Sequence, residues 1–192
     1  MNIDSYVELA KSRLSLKRFM HSLSVSREAK KLAQKHGCDE IKAEIAGILH
    51  DIMKETSCEE QLAMIKEANI KLNEIERRSQ KLWHAPAGAA YAKLRLKIID
   101  KDILNAINYH TSGRANMSIL EKVVFVADYI SEDRKYNMLG KIKFLSSVSL
   151  DEAIVSGTEY TMKFLFKKKK LVDSQALETY NAALMRIQDK EK

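Results

Sequence analysis

With 192 residues, 45% of them hydrophobic, the chain can bury one sizeable core and is too short to need a second full domain. Charged residues make up 31% and proline occurs once, which suits a helix-rich, all-α protein better than a disordered or all-β chain; it is read as one domain over 1–192. The formal balance of +7 falls to +3 without the four lysines Lys167 to Lys170, so the basicity is local; it favours anionic partners without choosing between nucleotides, nucleic acid and a membrane surface.

Helical spacing predicts elements at about 2–13, 15–36, 39–52, 57–69, 73–80, 86–97, 100–110, 118–132, 149–167 and 174–188. Ile3, Val7, Ala10 and Leu14 form the apolar stripe of the first, and Phe19, Leu23, Leu32 and Ala33 fall close to another in the second. Asp4 and Glu8 interrupt the first stripe, so it does not read as a signal peptide, and no later stretch is long enough to cross a bilayer; a cytoplasmic protein is expected. Gly37 is a natural helix stop, and Asp39 a natural start for the next helix, on which Ile41, Ile45, Ile48 and Leu49 hold His50 and Asp51 toward the interior. Ser57 with Glu60, Ser118 with Glu121 and Ser149 with Glu152 have the spacing of capping boxes, and Pro86 fits a first helical turn, where its missing N–H costs nothing. Cys38 and Cys58 match no zinc or redox spacing. From about 141 the chain reads as an appended helical hairpin, and Lys167 to Lys170 oppose the negative carbonyl end of its first helix.

Chemistry concentrates in six side chains: His21, His50, Asp51, His84, His110 and Asp128. His21, His50, His84 and His110 sit in or beside apolar helical segments. Asp128 follows Val123, Val124, Phe125, Val126 and Ala127, and a carboxylate on so apolar a helix needs a partner, because burying it unpaired costs several kcal/mol. His36, just before Gly37, falls outside this set and reads as a helix-end residue; Trp83 reads as packing in preference to base stacking. Imidazole with carboxylate and no cysteine suits iron, manganese or another borderline divalent ion over a structural zinc.

The order His21, His50-Asp51, His84, His110, Asp128 resembles the H…HD…H…H…D pattern of HD-domain phosphohydrolases. The words Arg18-Phe19-Met20-His21-Ser22, His50-Asp51-Ile52-Met53-Lys54, Trp83-His84-Ala85-Pro86, Tyr109-His110-Thr111-Ser112-Gly113-Arg114 and Ala127-Asp128-Tyr129-Ile130 together resemble the YqeK family of symmetrical bis(nucleosyl)-tetraphosphatases. The chain departs from that family at Ile130-Ser131-Glu132-Asp133-Arg134, which keeps the arginine and lacks the usual proline, and near Thr179-Tyr180-Asn181, where a preceding proline is absent.

The resemblance implies an HD-type helical bundle with its metal-binding core at about 15–135 and C-terminal helices at about 141–190. It implies a first metal on His21, His50, Asp51 and Asp128, iron favoured, with Asp51 able to bridge to a second ion on His84 and His110. The implied reaction is cleavage of diadenosine tetraphosphate by a metal-activated water into two ADP. Asp51, Lys54, His84 and His110 would carry the catalytic roles, and His21, Asp51, Lys54, His84, His110, Thr111, Asp128 and Arg134 would contact the nucleotide. Leu171-Val172-Asp173-Ser174-Gln175-Ala176-Leu177 would close over an adenosine. Arg18 and Arg114 are secondary phosphate candidates. A small nucleotide is the expected partner, nucleic acid and membrane are not, and a homodimer is left open. Two rival readings stand: another HD phosphohydrolase, acting on a nucleoside monophosphate, a guanosine alarmone or a cyclic dinucleotide, and a non-catalytic basic helical adaptor for RNA or a protein.

Overall fold

Polar side chains begin most of the helices by accepting from an amide that has no partner within the helix. Asn2 does so for α1 (Ile3–Arg13), Ser15 for α2 (Leu16–His36) and Asp39 for α3 (Glu40–Leu49). Ser57 starts α4 (Cys58–Glu67) and Asn73 starts α5 (Glu74–Arg78). A short 3-10 turn, Gln80–Leu82, leads into α6 (His84–Leu94); Asp100 caps α7 (Lys101–Tyr109) and Ser118 caps α8 (Ile119–Ile130). Then come α9 (Leu139–Ser146), α10 (Leu150–Lys167), capped by Ser149, and α11 (Ser174–Lys190). The computed structural model describes residues 2–190 and 192. Among them no strand occurs, and no helix is long and apolar enough to cross a membrane.

α8 is the axis of the bundle. Val123 to Ala127 are buried on every side, as a helix apolar all round must be, and α2, α3, α7, α9 and α10 all pack on it. α3 lies against α2 at very short range: a Cβ added at Gly47 would stand 2.7 Å from the Ser26 Cα and 3.0 Å from its amide nitrogen. Only glycine permits that approach. Gly37 ends α2 in the left-handed conformation at φ 69°, with the Cys38 amide donating to the Ala33 carbonyl as in a glycine-terminated helix. α10 and α11 form the appended hairpin, joined to the bundle through α8 and α9.

Several local readings are revised. Of the three expected capping boxes, only Ser118 with Glu121 is reciprocal, whereas Ser57 and Ser149 accept from the third amide without the return bond. A second reciprocal box joins Asn73 and Glu76. Ile41 is 62% exposed, so it does not belong to the inward side of α3, which Ile45, Ile48 and Leu49 form with Ala43, Ala46 and Gly47. α9 was not anticipated, because it buries only Ile142 and Ser146 and no side chain caps its start. α6 begins two residues before Pro86. α3 stops at Leu49, where the chain enters successive turns closed by Ile52 N–H to Leu49 O and Lys54 N–H to Asp51 O.

Candidate active site

That early stop of α3 lets neighbouring residues aim at one point. His50 and Asp51 both lie just past the end of α3, in the turns that follow Leu49. α2 supplies His21 from its buried face, α6 supplies His84 at its first residue, the turn after α7 supplies His110, and α8 supplies Asp128 near its end. The four imidazoles and Asp51 are all buried.

Asp51 is the hub. Its Oδ2 lies 3.4 Å from His50 Nε2 and 3.9 Å from His21 Nε2; its Oδ1 lies 3.3 Å from His84 Nε2 and 3.6 Å from His110 Nε2. His21 Nε2 also lies 3.1 Å from Asp128 Oδ1. Donor atoms therefore form two groups that share Asp51, one with His21 and His50 and one with His84 and His110.

The outer nitrogens fix which ring atom faces the centre. Nδ1 of His50 contacts the Gly47 carbonyl at 2.7 Å, Nδ1 of His84 the Lys81 carbonyl at 2.9 Å and Nδ1 of His110 the Ile107 carbonyl at 2.7 Å. A carbonyl only accepts, so each Nδ1 carries the hydrogen and each Nε2 presents a lone pair inward. His21 Nδ1 meets the Asp133 carboxylate at 2.9 and 3.0 Å, with Ser131 Oγ at 3.4 Å. His21 Nε2, His50 Nε2 and Asp51 Oδ1 are buried without a hydrogen-bond partner. Orphaned polar atoms carry a desolvation cost, and lone pairs of nitrogen and oxygen converging on one point are what a divalent cation satisfies. The residues fit a metal.

Cations crowd the same centre. Arg18 Nη1 donates to Asp51 Oδ2 at 2.8 Å, Lys54 Nζ lies 3.9 Å from Asp51 Oδ1 and 3.0 Å from His84 Nε2, and Arg134 pairs with Asp128 through Nη2 while its Nε donates to the Asp128 carbonyl at 2.9 Å. Burial works against the Asp51 charge, yet the surrounding His50, His110 and His84 hold its carboxyl well below the usual range. Asp128 is likewise depressed, through His21, Arg134 and His50, against its burial. Burial and the Lys54 ammonium push His84 well below an ordinary imidazole, so it stays neutral, and burial lowers Lys54. For His21, burial is outweighed by Asp128 and Asp133, which raise it.

Around this centre a cleft of about 590 Å3 is lined by His21, His110, Thr111, Asp128 and Arg134 on its inner side. Thr111 Oγ1 lies 3.2 Å from His84 Nε2 and 3.1 Å from His110 Nε2. The segment Leu171 to Leu177 does not line it. Asp173 turns inward to accept from Asn73 Nδ2 and Ser112 Oγ, Leu171 and Leu177 are exposed, and Gln175 borders a separate cleft of about 350 Å3 with Pro86, Asn108 and Tyr109. Arg114 stays outside as well, paired with the buried Glu121 and lying over the Tyr109 ring. His36 bonds the Ser146 carbonyl and ties the end of α2 to α9. The Trp83 indole donates to the Glu76 carbonyl, and its ring packs in the core. Cys38 and Cys58 are free thiols away from the site.

Sequence reasoning overlooked Asp133. It sits in Ile130-Ser131-Glu132-Asp133-Arg134, a word read for its arginine and its missing proline. An acid just beyond the Asp128 helix was the available signal, but its partner is 112 residues away.

Fold and site together define an all-helical protein built around a buried His/Asp cluster suited to a divalent metal. Residues 18–133 match the model of the HD domain, and the chain belongs to the HD-domain family. At 37% identity it is similar to a protein of Halalkalibacterium halodurans named "Bis(5'-nucleosyl)-tetraphosphatase, symmetrical", covering 96% of this chain and 98% of that one. A protein of Bacillus subtilis with the same name is also 37% identical, over 94% of this chain and 97% of its own. Among solved structures, a Clostridium acetobutylicum protein described as a "predicted HD superfamily hydrolase involved in NAD metabolism" superposes with a TM-score of 0.92 at 32% identity, covering 97% of this chain and 98% of that one.

Proposed function

We propose that the chain hydrolyses dinucleoside tetraphosphates, diadenosine tetraphosphate first among them, symmetrically into two nucleoside diphosphates. The observation that carries the reading is the Asp51 carboxylate, whose two oxygens face separate imidazole pairs beside a cleft that His21 and His110 line together with Lys17, Arg18, Arg134 and Lys135. The full-length relatives named as symmetrical tetraphosphatases support the substrate class. His21, His50, Asp51 and Asp128 would hold a first divalent ion, and Asp51 with His84 and His110 a second; iron is the first candidate and manganese the next, since the donors are nitrogen and oxygen without sulfur. When bound, such an ion acts as a Lewis acid that activates water near neutral pH.

The chain's own groups then position the polyphosphate. Lys54 stands between Asp51 and His84, where its ammonium neutralises phosphate oxygens. Arg134 and Arg18 present guanidinium forks suited to the same oxygens. Thr111 offers a hydroxyl beside His84 and His110; with a single ion bound, those two histidines would instead face the central phosphates. Leu171 to Leu177 are retained as a candidate contact for one adenosine on the strength of the family resemblance. A single activity fits this set better than an adaptor, because four buried imidazoles and two depressed carboxylates are costly to keep for packing alone.

The test is chromatographic. Protein purified without chelator is incubated with diadenosine tetraphosphate and its nucleotide products are separated, with metal content measured on the same sample. ADP as the sole product with bound metal is expected; AMP with ATP, or no turnover, would overturn the proposal.

A further inference from the structure

We propose that the outer arm of the cleft receives the second nucleoside of the substrate, its base stacked against Tyr160 and Phe164. The inference rests on the symmetrical reading above. A molecule with a nucleoside at each end, cut at its middle bond, must be held on both sides of the cluster around Asp51. The resemblance supplies one side only, through Leu171 to Leu177, and those residues do not line the cleft that opens from His21 and Asp128.

That cleft continues past Arg134 to Tyr136, Tyr160 and Phe164. The rings of Tyr136 and Tyr160 are stacked, with centroids 4.8 Å apart and planes 22° off parallel, and the Tyr136 hydroxyl is tied to the Tyr129 carbonyl at 2.6 Å. The wall is therefore fixed in place. Tyr160 and Phe164 lie one turn apart on the same face of α10. A turn earlier Gly157 lets that face close on the Tyr129 ring, which a Cβ there would meet at 3.2 Å.

Phe164 ends the wall, 49% exposed at the mouth of a polar cleft, and Lys17 and Lys135 line the same space. A rigid aromatic face beside cations matches a nucleotide half: the ring stacks a base and the ammonium groups meet its phosphates. The ligand class is a purine nucleoside diphosphate moiety, the distal half of the substrate.

The experiment is steady-state hydrolysis of diadenosine tetraphosphate by metal-loaded protein carrying Phe164→Ala, Phe164→Trp or Phe166→Ala. Loss of one base stack raises KM about tenfold in Phe164→Ala while kcat stays within about twofold. Phe164→Trp restores KM, and Phe166→Ala, 64% exposed and outside the cleft, leaves it unchanged. An unaltered KM in Phe164→Ala, or an equal rise in Phe166→Ala, overturns the subsite while the unsubstituted protein still releases two ADP. If the unsubstituted protein releases no ADP, it is the symmetrical reading that fails, and the subsite with it.

Discussion

Replacing Gly47 with alanine should loosen both the bundle and the site. The added methyl would lie 2.7 Å from the Ser26 Cα, 3.0 Å from its nitrogen and 3.2 Å from the Val25 carbonyl oxygen, and all three are backbone atoms that cannot rotate away. Carbon atoms rest at about 3.5 Å or more, so α2 and α3 must part by roughly 0.8 Å. Overpacking a dense core costs about 1–3 kcal/mol, and an obstacle made of backbone places this case near about 3 kcal/mol. At about 2–4 °C per kcal/mol for a chain of this size, Tm should fall by about 6–12 °C. The damage reaches the chemistry, because α2 carries His21 and the end of α3 carries His50 and Asp51; His21 Nε2 is already 3.9 Å from Asp51 Oδ2. Metal affinity should fall with stability. Circular dichroism melts of metal-free protein and a metal titration read the two effects separately. A Gly47→Ala protein melting within about 1 °C of the parent would refute the argument that this contact is closed.

Asp133→Ala should weaken metal binding about tenfold, the low end for an outer hydrogen-bond partner, because Ser131 stands near the same nitrogen; Asp133→Asn keeps an acceptor and should recover most of the loss, and equal metal dissociation constants for all three proteins would remove Asp133 from the site. Lys54→Ala should raise KM for the tetraphosphate at least about tenfold, the size of a lost charge-assisted hydrogen bond, with metal content unchanged by elemental analysis; an unaltered KM would show that the ammonium does not meet substrate. Asp100→Ala should cost about 1 kcal/mol at pH 7 through loss of the α7 cap. The Asp100 carboxyl is depressed by Lys42 and by the Ile103 and Asp102 amides, so its contribution is complete above the unfolded value of 3.8 and is lost as pH falls through the folded value. Melting curves of the two proteins should converge in that acid range, and a gap that widens there would contradict the sign.

Much of this architecture is visible in the sequence because the relevant physics is local. Gly37, Asp39 and Ser118 mark helix ends by their own backbone and side-chain chemistry, and the six candidate ligands stand out as polar residues embedded in apolar runs. What escaped reading depends on contacts far along the chain. α9 buries only Ile142 and Ser146, too weak a stripe to register, and it is held by α8 and α10. Ile41 fits the apolar spacing of α3 yet is 62% exposed, because the helices that pack on α3, namely α1, α2, α7 and α8, leave it uncovered. The end of α3 at Leu49 follows from no glycine or proline. There the turns are stabilised from outside: Gln61 Nε2 donates to the Met53 and Thr56 carbonyls, and Ser15 donates to Glu55.

The cluster is held by two different devices, and its halves should differ in robustness accordingly. His50 and His110 follow directly on helices, and His84 follows a 3-10 turn; in each case Nδ1 turns back to the carbonyl three residues earlier. The last carbonyls of a helix have no amide partner ahead of them, so the chain's own termini supply acceptors that no side-chain substitution removes. His21 lies inside α2, where every nearby carbonyl already accepts from the amide four residues on. Its Nδ1 needs a side chain, and Asp133 provides it. The same short stretch brings Arg134 to the Asp128 carboxylate and carbonyl, so residues 131–134 fasten both ends of the His21–Asp128 pair. The half around His84 and His110 therefore rests on backbone, whereas the half around His21 and Asp128 rests on two exchangeable side chains and is the part of the site that variation can tune.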